Sequence, residues 1–125
     1  MHVATGAAVG AMLGSRTRAL AAGPLLHFLC DVTPHQDIPS RRFEIVSGIA
    51  LLALVAAARG PLEPAVIGAV AASAPDLEHV LRLPRPRGRK LFPTHRFGGL
   101  HRSGGAPAWL QLLAAGTIVG ATIRR

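Results

Sequence analysis

The sequence predicts an all-helical fold: a compact bundle of about five mostly apolar, membrane-embedded helices with one long basic loop. Three observations carry that prediction. Half of the 125 residues are hydrophobic and the mean hydropathy is +0.37, more apolar than an ordinary soluble domain. The apolar content is Ala, Leu, Val and Ile with only 4% aromatics, a composition suited to close helix packing. The net charge of +8 comes from arginine and a single lysine placed between the apolar runs, the punctuation of membrane helices.

The length suits one domain, residues 1–125, in which 83–105 form the basic loop. Cys30 is the only cysteine, so an internal disulfide and an all-thiolate zinc site are both excluded. No basic stretch precedes the first apolar run, and no cleavable leader is expected.

Taken in order, residues 2–14 form a first apolar segment in which Gly6, Gly10 and Gly14 recur every four positions. On a helix that spacing lets a neighbouring backbone come close. Residues 15–18 read as a short polar link. The second segment, 19–32, carries Pro24 near its start, where a missing amide hydrogen costs least. The third, 43–58, is the most uniformly apolar and is stopped by Arg59-Gly60-Pro61. The fourth runs from Pro64 through Pro75 to about Leu83. Residues 83–105 are rich in Pro, Gly and Arg, hence a loop, and a last apolar run, 106–123, leads to Arg124-Arg125. A membrane-crossing helix needs about 20 apolar residues. Most of these runs are shorter, so they are expected to tilt, enter partway, or lie as a bundle at the membrane surface.

The stretch His27 to Asp37 concentrates the chemistry. His27, Asp31 and His35 stand four apart and share one face for as long as the backbone stays helical. Pro34 disfavours helical geometry at Thr33, which puts His35 and Asp37 on a turn at the helix mouth. Asp76 and His79, three apart, are neighbours on a helix face. With antiparallel segments these residues gather at one end of the bundle together with His2, Glu78, His95 and His101, whereas the other end has no histidine and only Glu63 as an acid.

Imidazoles and carboxylates sorted in this way, within apolar sequence, point to a divalent metal. His27, Asp31, His35, Asp76 and His79 are the first candidates for ligands, with His2 and His95 next. Glu78 or Asp37 would act as general base or orient a ligand histidine. Zinc leads, manganese and iron are accommodated by the same donors, and the number of ligands would allow two ions. Plainer readings stand beside these: His27 as a buried hydrogen-bonded histidine, Asp76 as a helix cap, Asp37 paired with Arg41 or Arg42, and Cys30 as packing. The basic loop suits anionic lipid headgroups, and the same charges would recruit a phosphate-bearing substrate. Nucleic acid ranks below both, because only Phe92 and Phe97 are there to stack on bases.

These motifs resemble the YdjM-like family of predicted membrane-bound metal-dependent hydrolases, small helical inner-membrane proteins. The matching pieces are His2 with Thr5, Pro75-Asp76-Leu77-Glu78-His79, and Thr94-His95. The run from His27 to Asp37 is similar to an H-x3-D-x2-P-H-x-D signature of small bacterial relatives. Glu78 stands where the family has a second aspartate, and the family's His-Arg-Gly-x-Thr-His-Ser run is broken, so that His101 falls out of register. The resemblance implies a metal centre in the bacterial inner membrane. The basic loop and the Arg41-Arg42 turn favour a cytoplasmic site end. The expected function is metal-dependent hydrolysis of a phosphoester or lipid-associated bond. The alternative is a non-catalytic membrane protein that binds or moves a metal ion or protons.

Overall fold

Helix α1 (His2–Leu13) ends where Gly14 turns left-handed at φ +60°, its amide returning to the Gly10 carbonyl. In the computed structural model, which describes residues 1–100 and 102–124, the next helix begins almost at once. The candidate His101 lies outside the described residues. Ser15 caps α2 (Arg16–Val32) by accepting from the Arg18 amide at 3.4 Å. The expected polar link is therefore helical, and Pro24 sits inside α2 rather than near its start, withholding an amide from the Leu20 carbonyl. Thr33 is extended (ψ 124°) ahead of Pro34 and stops α2 where the sequence placed the stop.

Ser40 caps α3 (Arg41–Arg59) by accepting from the Phe43 amide, and Gly60 at φ +97° closes it. Helix α4 (Pro64–Ser73) opens on a proline. The fourth segment is not continuous to Leu83. Pro75 tightens it into a 3-10 turn, Ala74–Asp76, before the single turn α5 (Leu77–Val80). The basic loop also contains a 3-10 turn, Pro86–Gly88, and one helical turn, α6 (Pro93–Arg96), before α7 (Ala108–Ile123). Among the described residues there is no strand. Isolated bridges from His35 to Ser103 and Ala106 tie the end of the basic loop to the turn after α2.

Helix α4 is the centre, packed against α1 and α2, while α3 and α7 complete the bundle. The buried cluster is built largely of small side chains, Ala4, Ala7, Ala65, Ala69 and Ala115, with Val55, Val66 and Val119. Gly6 and Gly68 lie so close that a Cβ on either would strike the other's carbonyl oxygen, and one on Gly10 would strike the Pro64 carbonyl. Gly23 rests on Ala71 in the same way, bringing α2 onto α4. Large apolar side chains instead face outward: Leu20, Leu25 and Leu29 on α2, Phe43 and Ile49 on α3, Trp109 and Leu113 on α7. Among the described residues no helix is long and apolar enough to cross a membrane.

Candidate metal centre

The α2–α4 seam determines the first donor. His27, fully buried on α2, places Nδ1 2.8 Å from the carbonyl of Ala72, in the last turn of α4 where carbonyls run out of intrahelical partners. A carbonyl only accepts, so Nδ1 carries the hydrogen and Nε2 turns a lone pair inward.

The same logic fixes a second imidazole. His95 on α6 has Nδ1 2.6 Å from Glu78 Oε1. Glu78 is buried, and its carboxylate also accepts from the amides of Leu91 (2.7 Å) and Phe92 (3.2 Å). Burial works to raise the Glu78 carboxyl, but the Leu91 amide, His95 and the Phe92 amide hold it below its ordinary value. An ionised carboxylate only accepts, so His95 also keeps its hydrogen on Nδ1 and presents the lone pair of Nε2. The two Nε2 atoms are 3.1 Å apart. Lone pairs at that separation need a cation between them, a proton or a metal ion.

Two carboxylates complete the ring. Asp31, buried one turn beyond His27, has Oδ2 3.2 Å from His27 Nε2 and 3.6 Å from His95 Nε2, and Thr94 donates to that oxygen at 2.5 Å. Asp76 Oδ1 stands 3.8 Å from His27 Nε2 and 3.7 Å from His95 Nε2. Donor atoms around a tetrahedral metal with bonds of about 2.0–2.1 Å lie about 3.3 Å apart, so the spacing suits a small divalent ion. Burial tends to raise Asp31, yet hydrogen bonds from His27 and Thr94 hold it well below the usual carboxylate range. Burial tends to lower His27, but the bond to Asp31 and the charge of Asp76 lift it. Without an ion, a proton on His27 is thus the substitute cation.

Asp76 is not a cap: its side chain makes no capping bond at the start of α5, and the half-exposed carboxyl is raised, by burial first. His2, the first residue of α1, stacks on His27 with ring centroids 4.0 Å apart. Its Nε2 is 3.4 Å from Asp31 Oδ1 and 3.9 Å from Asp76 Oδ2, while its buried Nδ1 has no hydrogen-bond partner among the described residues. Burial, then the neighbouring His27, lower His2 to about 3, so it is neutral. His79 on α5 has its ring 4.2 Å from that of His95 and its Nδ1 2.8 Å from Lys90 Nζ; Arg41 donates to its carbonyl. Burial first, then His95 and Lys90, lower it to about 4.

Among the described residues, groups close enough to share an ion include His27, Asp31 and His95; His2, His27 and Asp76; and Asp76, His79 and His95. His35 and Asp37 are in none of them. His35 donates from Nδ1 to the Thr33 carbonyl at 2.7 Å and turns Nε2 to Asp37 Oδ1 at 3.6 Å, because the break at Thr33 takes both off the α2 face. His95, placed second from the sequence, is central. The α6 turn that carries it went unread in the loop, although Pro93 at its first position is a helix-start signal. Thr94 as the donor to Asp31, and the amides that hold Glu78, were missed with it. The Ala72 carbonyl has no signature in residue type at all.

No protein-family model matches the sequence, and no curated protein or solved structure matches the chain. What the geometry establishes is a buried His/Asp group that can hold a metal ion.

Proposed function

We propose that this protein is a metal-dependent hydrolase of a phosphoester, or of another lipid-associated bond, working at a membrane surface. The observation that supports it is the pair of imidazoles whose tautomers are fixed by Ala72 and Glu78, so that two Nε2 lone pairs and two carboxylates converge on one point. A divalent cation there, zinc first and manganese or iron next, would act as a Lewis acid and lower the pKa of a water molecule toward neutrality.

The chain's own residues divide the remaining work. Glu78, with its carboxylate oxygens engaged, is a positioning residue for His95 rather than a base. Asp76, half exposed at the solvent edge, is the carboxylate that would hold the ion on the side open to water. The Lys90 ammonium only donates, so His79 Nδ1 accepts and the hydrogen rests on Nε2, where it can donate a hydrogen bond to a phosphoryl oxygen. Arg41 and Lys90, both at His79, add positive charge for a phosphate.

The membrane part of the reading is supported by the outward Leu, Phe and Trp side chains and by the arginines of the basic loop, which suit anionic headgroups. With the YdjM-like resemblance it suggests a bacterial inner membrane, the site end toward the cytoplasm. The test is elemental analysis of purified protein beside a folded His27→Ala/Asp31→Ala variant, followed by hydrolysis of a chromogenic phosphodiester. Near-stoichiometric metal and metal-dependent turnover are expected in the parent, and neither in the variant. No metal in either protein after reconstitution would overturn the reading. Metal without turnover on any phosphoester would leave an ion-binding or ion-moving protein.

A further inference from the structure

Resting on that reading, we infer that the centre has two lobes and takes a second divalent cation, held by His2 Nε2, Asp31 Oδ1 and Asp76 Oδ2. Both carboxylates are divided between the lobes. Asp31 turns Oδ2 to His27 and His95 and Oδ1 to His2, at 3.4 Å; Asp76 turns Oδ1 to His27 and His95 and Oδ2 to His2, at 3.9 Å. One ion between His27 and His95 engages one oxygen of each. It leaves the other two oxygens, from two acids, directed at the same imidazole nitrogen.

A hydrogen on His2 Nε2 serves that arrangement poorly. It can point at only one oxygen, over a contact of 3.4 Å, and leaves the second carboxylate without a donor from this ring. A cation is shared by all three atoms. The ring is held for this role by its stack on His27, and its Nδ1 has no partner among the described residues to compete for its orientation. Bridging carboxylates between two ions form the arrangement that clamps both the attacking and the leaving oxygen of a phosphoester in line. The substrate class this assigns is therefore a phosphate ester.

The two lobes differ in chemistry. The first offers two imidazole nitrogens and the second offers one, with two carboxylate oxygens and an edge open through Asp76, which is 46% exposed. The second ion is accordingly the weaker, and it favours oxygen-preferring manganese or magnesium over zinc.

The test is titration of the metal-free full-length chain with manganese(II), following free ion and the bound signal by electron paramagnetic resonance. The parent is expected to bind two ions per chain, the second more weakly, with an exchange-coupled signal at saturation. His2→Ala is expected to keep the first ion and lose the coupled signal, the second affinity falling by about 10–100-fold. His2→Gln serves where the alanine variant does not fold, and the stoichiometry and coupling of the parent decide independently of both. One uncoupled ion in the parent, or two coupled ions in a folded His2 variant, overturns the second lobe and leaves the hydrolase reading standing. No ion in the parent overturns both.

Discussion

Two pairs of glycines, each four residues apart, behave in opposite ways. Gly6 and Gly10 of α1 are pressed against the backbone of α4, whereas Gly116 and Gly120 of α7 have nothing within 4 Å of where a Cβ would stand. Spacing is the same; environment is not. On α1 the absent side chains set the distance between helices, and that distance supports the polar centre. On α7 they only lower helix propensity. Small residues close the interior of this bundle while large ones cover its outside, so glycine spacing alone does not reveal which helix is central.

The largest expected effect comes from filling the tight side. Gly6→Val places side-chain atoms in the Gly68 carbonyl and should cost about 3 kcal/mol or more in denaturant unfolding. A loss below about 1 kcal/mol would break the contrast between the two pairs. Thr94→Val separates packing from chemistry: helix content should stay, while metal affinity drops by about 10–100-fold with the loss of the donor to Asp31. Equal affinity, measured by competition with a chelator, would remove Thr94 from the site.

Acid should weaken the same side in the metal-free protein. His2 at about 3 and His79 at about 4 stay neutral where the unfolded chain, at 6.5, protonates, so stability falls as pH drops below that value. Asp31 and Glu78, both depressed, are protonated more readily in the unfolded chain and add to the loss at lower pH. His27 is raised and opposes them, with a contribution present below 6.5 and lost as pH rises through its folded value. The carboxyls of Asp76 and Glu44, raised by burial, also oppose them, because the folded chain takes those protons first as pH falls. Two histidines held neutral outweigh the one that is raised, so the thermal midpoint should decline from about pH 7 to about pH 4. A flat profile would mean that these histidines are solvated.

On the open side, Gly116→Ala and Gly120→Ala should each raise stability by about 0.5–1 kcal/mol. A loss on either would show that α7 is covered. The smallest effect belongs to Asp37→Asn. This exposed carboxylate faces His35, and the change should stay within about 0.5 kcal/mol and leave bound metal unaltered.

Much of the fold was legible. Pro34 ended α2 as its sterics require, Gly60 and Pro61 closed α3, and antiparallel connectivity brought His2, His27, Asp31, Asp76, His79 and His95 to one end. Other features depend on tertiary contacts that leave no local pattern. Pro24 lies mid-helix because Ser15 starts α2 early, and the break at Pro75 turns the Asp76 side chain toward the histidines instead of the α5 start. Pro34 put His35 on a turn at the helix mouth, as its sterics indicate, but nothing in the residue types told that the turn carries its ring to the Thr33 carbonyl and Asp37 instead of the other donors. His95 lay in a stretch whose Pro, Gly and Arg content reads as loop, and its one helical turn is too short to show a period.

Gly23 and His27 are one turn apart on α2, and their partners on α4, Ala71 and Ala72, are adjacent residues. Helix spacing is thereby translated into the address of a single hydrogen atom. Should α4 drift from α2, the imidazole loses its reason to keep that hydrogen on Nδ1, and the Nε2 form, closed to metal, becomes accessible. The nitrogen-15 resonances of His27 are in effect a strain gauge, able to register swelling of the seam under pressure or heat before any helix unwinds.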